Sequence, residues 1–242
     1  MKAKLNLVAL VGILLFSSCA LQKGHLRFQP KTNETIATPS IKEYLKLHPN
    51  PSIVLKAPNS ENKSTQSDPN SYIYNAIEKE LLIAGFDVKD RGLFNEVVGK
   101  SNEINYSELK KLTNTELLLE LVNVSTKIEY RTNKFYTKDG KENVVNQNFT
   151  KYGAVIEFKL TIIETNQFAG SYSFYYSPCT SENSGCECEV AYKNFASIKV
   201  YPYINFCRGE NNKNNEYEYI SENIMEKFVR EGVKLMINEM KN

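Results

Sequence analysis

The chain of 242 residues contains no tryptophan and only two histidines, and beyond its first residues it has no apolar run long enough to cross a bilayer. Both histidines, His25 and His48, lie in a polar N-terminal segment, which argues against Ser-His or Cys-His nucleophilic catalysis. No glycine-rich phosphate loop is present. Two of the 30 basic residues fall in the first eighteen positions, and the remaining 28 equal the 28 acidic residues. We therefore expect neither a cofactor nor a nucleic-acid partner.

The first nineteen residues have the pattern of a bacterial export signal. Lys2 and Lys4 precede an apolar run over 5–16 that is too short to span a membrane as a helix. The sequence Phe16-Ser17-Ser18-Cys19 then resembles the lipobox of bacterial lipoproteins, with Phe where Leu is usual. This resemblance implies removal of residues 1–18 as a signal peptide and acylation of Cys19, for example by palmitate. It also implies a place in the cell envelope, at the outer membrane and facing the periplasm or the cell surface; the alternative is a plain cleaved signal.

Four further cysteines lie close together: Cys179, Cys186, Cys188 and Cys207. In an oxidising compartment such a set is most simply explained by two disulfides. Cys186 and Cys188 are too close in an extended chain to pair, so each is expected to bond either Cys179 or Cys207, and the spacing does not choose. A zinc site is the alternative, but the spacing lacks paired Cys-x-x-Cys units. We therefore expect disulfides and no metal.

The pattern along the chain predicts an α/β fold. Residues 19–51 are expected to be a lipidated tether with a short helix over 41–47, followed by a single domain over 52–242. Apolar residues at spacings of three and four predict a helix from Asn70 or Ser71 to Gly85 and a long C-terminal helix capped by Ser221. Apolar runs or alternation predict strands at 52–57, 86–88, 115–125, 154–163 and 171–176. The expected architecture is a mixed β-sheet of about five strands with flanking helices.

Four segments interrupt or extend this pattern. Short helices are predicted near 93–98, capped by Asp90, and near 106–112. Residues 126–153 and 177–219 are polar and rich in tyrosine, and they are expected to be irregular insertions. Within the first insertion, Lys138-Asp139-Gly140-Lys141 predicts a hairpin turn.

The order of these segments is similar to that of a known family. The stretch 85–91 (GFDVKDR), followed by 94–98 (FNEVV), resembles a motif of the CsgG-like curli secretion channel family and of proteins with the TolB amino-terminal type of fold. The resemblance covers roughly 52–125, 154–176 and 221–241. In that family, hairpins at the two insertion positions build a membrane channel in a ring of subunits. Here Lys127, Glu129, Arg131 and Lys134 do not suit a lipid-facing strand.

Three functions follow as hypotheses. The favoured one is a non-catalytic envelope lipoprotein that serves as an assembly or accessory component. It would bind other envelope proteins through 126–153 and 177–219, with a homo-oligomer left open. The alternative is a subunit of an oligomeric outer-membrane secretion channel. The third, an enzyme, would need a polar cleft; Asp87, Asp90 and Arg91 are the one candidate acid/base cluster, and a helix cap with a surface ion pair is the favoured interpretation. No catalytic residue is predicted.

Replacing Cys19 by alanine is expected to release the protein from the membrane without unfolding it, because acyl chains on this residue would be the anchor. Membrane fractionation measures the release and circular dichroism measures the fold. Retention of the Cys19→Ala protein in the membrane fraction after signal cleavage would contradict this prediction.

Overall fold

The computed structural model describes residues 21–58, 70–92, 110–111, 113–180, 185, 188–193, 198–201 and 220–242. The chain forms two compact units. Unit 1 comprises Met1–Gln29, Glu129–Lys151 and Ser177–Tyr217, and unit 2 comprises Pro30–Ile128, Tyr152–Tyr176 and Glu218–Asn242. The segments predicted as two separate insertions therefore fall, almost entirely, in one unit.

The described residues form nine strands and three helices. The strands are β1 (Gln22–Leu26), β2 (Glu34–Ala37), β3 (Ser52–Lys56), β4 (Asp87–Val88), β5 (Leu117–Thr137), β6 (Glu142–Ile162), β7 (Gln167–Tyr176), β8 (Glu189–Lys193) and β9 (Lys199–Tyr201). The helices are α1 (Pro39–Leu47), α2 (Ser71–Ile83) and α3 (Glu222–Lys241).

The strands are hydrogen-bonded in the order β2-β7-β6-β5-β1-β8-β9, and β3 pairs with both β4 and β5. β3 runs parallel to β4 and β5, whereas β1 with β5 and β8, β2 with β7, β6 with β7 and β8 with β9 are antiparallel. The predicted α/β class and mixed sheet are confirmed. The expected count of about five strands is wrong, since the sheet has nine.

The core of unit 2 lies between its helices and one face of its strands. Alternate residues of β6 and β7 supply the sheet side: Ala154, Ile156, Phe158, Leu160, Ile162, Tyr172 and Phe174. The helices supply the apolar stripes predicted from their spacing: Ile73, Ile77 and Leu81 of α2, and Met225, Val229, Val233, Met236 and Met240 of α3. Gly85 follows α2 with a φ of 91°, as the predicted helix stop requires. No helix in the described ranges is long and apolar enough to cross a membrane.

Gly232 allows α3 to approach the sheet closely. A Cβ atom at this position would lie 2.8 Å from Cδ1 of Ile156 and 3.2 Å from Cδ2 of Phe174. Both neighbours are buried. The absence of a side chain at Gly232 is therefore what lets the helix lie directly on strands β6 and β7.

Two predicted irregular regions prove to be regular. Residues 21–51 were expected to be a tether with a short helix over 41–47; that helix is present as α1, but the segment also forms the strands β1 and β2, with Leu26, Phe28 and Ile41 buried. The expectation that 126–153 is an irregular insertion is also wrong, because β5 and β6 run through it as two 21-residue strands. The strands were not predicted because one face of each is exposed and polar. Asn, Gln and Thr stand among the apolar residues, so the sequence lacks a clear alternation of apolar and polar positions. The predicted turn is present, with the Gly140 N–H donating to the Thr137 carbonyl at 2.9 Å.

The other insertion is described in part. β8 and β9 occupy 189–193 and 199–201, so this segment too is not wholly irregular. The short helix predicted near 93–98 lies outside the described residues, as does most of the one near 106–112.

Replacing Gly232 by alanine is expected to lower the free energy of unfolding by about 1–2 kcal/mol, because crowding of Ile156 and Phe174 outweighs the better helix propensity of alanine. Urea unfolding followed by circular dichroism measures the change. Asn238→Ala, at an exposed position of the same helix, is the control and should change it by less than about 0.5 kcal/mol. A stabilised Gly232→Ala protein would contradict the close contact.

Candidate interaction surface

Unit 1 is assembled around β1. This strand pairs on one side with β5, where Gly24, His25 and Leu26 lie opposite Thr137, Tyr136 and Phe135. On its other side it pairs with β8, where His25 lies opposite Glu189. β1 thus joins the two segments predicted to carry the binding surface.

Directly paired residues share a face of the sheet, so these registers define one polar and aromatic surface. We call it the β1 face: Lys23, His25, Arg27, Lys134, Tyr136, Glu142 and Glu189. All seven side chains are exposed or partly exposed. Ala191, which pairs with Lys23, is buried, so the exposed part of this face consists of the seven named side chains.

Tyr136 lies at the centre of the β1 face. The guanidinium of Arg27 lies 4.6 Å from the centre of its ring, and the ring of His25 stacks at a centroid distance of 6.0 Å. The Tyr136 hydroxyl donates to Oε2 of Glu142 at 2.6 Å, and Lys134 Nζ lies 2.8 Å from Oε1 of the same carboxylate. These contacts hold one tyrosine and one arginine in a fixed arrangement. Tyrosine and arginine are the residue types most enriched, after tryptophan, at energetically important positions of protein interfaces.

The protonation states on this face follow from its contacts. Burial, with help from the neighbouring Arg27, lowers the pKa of His25 against the opposing effect of Glu189, so this imidazole is neutral at pH 7. The hydrogen bonds from Lys134 and Tyr136 lower the pKa of Glu142, which keeps it ionised. An ion pair of 3.0 Å joins Lys23 to Glu189. At neutral pH the face therefore presents paired charges beside aromatic rings.

The reverse face of the same strands is apolar and buried. Leu26, Phe135, Val190 and Tyr192 are each at most 6% exposed. The rings of Phe135 and Tyr192 lie 4.9 Å apart. Gly24 is needed in this layer because a Cβ atom there would lie 2.6 Å from the Tyr136 carbonyl oxygen.

A disulfide joins Cys179 to Cys188, with a Cα–Cα distance of 5.5 Å. This is one of the pairings that the sequence left open. Both sulfur atoms are bonded to each other, so neither is a thiolate that could bind a metal. The zinc alternative is therefore wrong for these two residues. No cluster of three or more possible metal ligands occurs in the part of the chain that the structure describes. Cys19, Cys186 and Cys207 lie outside the described residues, so acylation of Cys19 stays a prediction.

Asp87 and Arg91 of the candidate acid/base cluster form ion pairs with different partners. Asp87 pairs with Lys89 at 2.6 Å. Arg91 lies 3.5 Å from Glu78 and stacks over the Tyr74 ring at 4.8 Å. These are ion pairs at the end of α2 and β4, in agreement with the favoured interpretation for Asp87 and Arg91.

Glu116 forms a polar cluster in unit 2 that the sequence did not reveal. Its Oε1 accepts from the Tyr44 hydroxyl at 2.9 Å, and its Oε2 accepts from the Ser52 N–H at 2.7 Å. His48 stacks on Tyr44 at a centroid distance of 4.2 Å. Burial favours the neutral acid, but these hydrogen bonds, together with nearby His48, lower the pKa of Glu116 overall. Both carboxylate oxygens are engaged, so the cluster ties α1 and β3 to the start of β5.

A shallow recess of about 210 Å³ in unit 2 is lined by Lys42, Leu45, Lys46, Pro49, Pro51, Phe86 and Lys241. Small-molecule sites are typically about 300–1,000 Å³ and close over most of their ligand. The Lys241 ammonium is also already bonded to the Ala84 carbonyl at 3.0 Å. The recess is therefore a weaker candidate than the β1 face.

Comparison with known proteins does not identify a family. No family model and no curated protein matches the chain. Among solved structures, the hypothetical protein CT253 from Chlamydia trachomatis matches with 9% identity and a TM-score of 0.34, over 79% of this chain and 96% of that one. A PelC dodecamer from Paraburkholderia phytofirmans matches with 10% identity and a TM-score of 0.26, over 63% of this chain and 89% of that one. Scores this low do not establish a shared fold, and the CsgG-like resemblance stays a prediction.

Sequence reasoning missed Lys23, His25 and Arg27 as surface residues because it assigned them to a tether. The available signal was the alternation His25-Leu26-Arg27-Phe28, in which both apolar residues are buried. Two apolar positions are too few to distinguish a strand from a loop. The register with β5 and β8 could not be read from the sequence.

Replacing Glu116 by alanine is expected to lower the free energy of unfolding by about 2 kcal/mol at pH 7, because the Ser52 N–H loses a charged acceptor. Folding lowers the pKa of Glu116 below its ordinary value of 4.5. Its contribution to the free energy of unfolding is therefore fully present above pH 4.5, and it is lost as the pH falls through the lower pKa of the folded state. The difference between the two proteins should thus shrink in acid, as measured by urea unfolding across pH. Glu231→Ala, at an exposed position of α3, is the control; equal effects of both changes would contradict the role of Glu116.

Proposed function

We propose that this protein is a non-catalytic lipoprotein of the bacterial cell envelope, held to a membrane by acyl chains on Cys19. It acts as an assembly or accessory component and binds other envelope proteins through the β1 face. The observation that carries the proposal is that two long segments and the N-terminal strand combine into one unit, whose described residues include an exposed polar and aromatic face.

The chemistry of the β1 face supports a protein partner. Arg27 and Tyr136 are already stacked, so little side-chain freedom is lost when a partner covers them. Around this pair, the Lys23–Glu189 and Lys134–Glu142 ion pairs offer charges of both signs. A central aromatic and arginine pair with a charged surround is the usual anatomy of a protein interface.

The shape of the surface supports the same class of partner. A sheet face across four strands can cover a flat protein surface, whereas a small ligand would need a recess that encloses it. Acyl chains on Cys19 would hold this face near the membrane and raise its effective concentration for partners there.

The test is affinity capture of the native lipoprotein after crosslinking in cells, followed by mass spectrometry. The wild type should capture a specific envelope protein, and Arg27→Glu or Tyr136→Ala should reduce its recovery by about ten-fold or more, as expected for central interface residues. Lys227→Glu, at an exposed position of α3, should leave the recovery unchanged.

Three results would count against the proposal. Recovery that is equal for all variants would show that the β1 face is not the binding surface. A monomer without any crosslinked partner would remove the protein-binding role. Rings of subunits in electron micrographs of the detergent-extracted protein would instead support the alternative, a subunit of an oligomeric secretion channel.

A further inference from the structure

The site of predicted acylation lies very close to a folded strand. Only Ala20 and Leu21 separate Cys19 from Gln22, the first residue of β1. Three residue steps span at most about 11 Å even when fully extended. If Cys19 carries the anchor, the start of β1 therefore lies within about 11 Å of the acylated residue. This step rests on the proposed function.

The start of β1 is at the same end of the sheet as the β5–β6 turn. β1 and β5 are antiparallel, with Gly24 opposite Thr137. In this register, Gln22 lies two residues before Gly24 on β1, and the turn at 138–141 follows Thr137 on β5. Gln22 and the turn are therefore at the same end of the two strands. The turn is closed by the Thr137 N–H, which donates to the Lys141 carbonyl at 3.0 Å. The tip of this hairpin thus lies at the end of unit 1 that carries the predicted anchor.

The tip carries exposed positive charge. Lys138 and Lys141 are both exposed, and neither forms an ion pair with any residue that the structure describes. The one acid in the turn, Asp139, accepts a hydrogen bond from the Thr137 hydroxyl, and Lys141 is close enough to interact with its charge. Unit 1 from residue 21 onward also contains eleven basic and eight acidic residues, although the mature chain is neutral.

From these observations we infer that the tip of the β5–β6 hairpin contacts the lipid surface that holds Cys19, with Lys138 and Lys141 binding headgroup phosphates. The short link allows both lysines to reach the headgroup phosphates, and within about 8 Å of them the attraction is only partly screened at physiological salt. Each lysine near an anionic surface adds about five-fold to binding. Without the acyl anchor on Cys19, this contact would be too weak to hold the protein at the membrane. Together with the anchor, it would orient unit 1 on the membrane surface.

The experiment uses the full chain, expressed with its signal and purified as the mature protein from membranes. Intact mass first establishes whether Cys19 is acylated. Because the chain has no tryptophan, Lys138→Trp provides a single fluorescent reporter at the tip. Arg131→Trp is the matched control, since it also replaces one exposed cation of β5 but lies about 20 Å along the strand from Thr137. Both proteins are reconstituted into phosphatidylcholine and phosphatidylglycerol vesicles that contain a headgroup-labelled quencher.

We expect the Lys138→Trp emission to be quenched at least about three-fold more strongly than the Arg131→Trp emission. Adding Lys141→Glu to the Lys138→Trp protein should reduce the quenching by about half or more, whereas adding Arg131→Glu should not. Equal quenching of the two reporters in an acylated protein would overturn the hairpin contact and leave the lipoprotein proposal standing. A mature protein without acyl chains on Cys19 would overturn both. Crosslinking of the tip to a second copy or to another protein, with no quenching, would also overturn it.

Discussion

The structure of unit 1 depends on the backbone hydrogen bonds that β1 makes along both of its edges. Without this strand, β5 and β8 would each present an open edge of unpaired N–H and C=O groups. With it, the three strands form a layer that buries Leu26, Phe135 and Tyr192 on one side and exposes Tyr136 and Arg27 on the other. The closeness of the strands at Gly24 leaves no room for a side chain. A five-residue strand therefore determines both the packing and the candidate binding surface.

The part of the fold that the sequence predicts is the part with strong periodicity. The stripe from Met225 to Met240 and the alternation from Ile156 to Ile162 each repeat over many residues, and the structure buries both as expected. Gly85 and the turn at 138–141 were also predictable, because glycine conformations with positive φ leave a clear sequence signal. In these segments the local pattern and the tertiary packing agree.

The rest was not predictable for identifiable reasons. β1 has only Leu26 as a buried large apolar residue, so its status as a strand comes from its partners and not from its own sequence. The outer parts of β5 and β6 bury few side chains, which made a regular hairpin look like an irregular insertion. The Glu116 cluster joins residues that are 64 and 72 positions apart, through contacts that no local pattern encodes. The β1 face likewise depends on contacts between distant parts of the chain, because it forms only when β1 pairs with β5 and β8 in the observed register.

The position of β1 in the chain has a consequence for folding. Lys23 and Glu189 are 166 positions apart, so the earliest strand to be synthesised cannot complete its pairing until most of the chain is available. Non-local pairing of this kind carries a large loop-closure cost and makes folding slow. If the chain is exported from its N-terminus as proposed, this strand would lack its β5 partner until residues 135–137 had followed and its β8 partner until residues 189–193 had followed. During that interval, β1 would have to be kept from pairing with other chains. A chaperone could do this, and so could the short length of β1 together with the charges of Lys23 and Arg27.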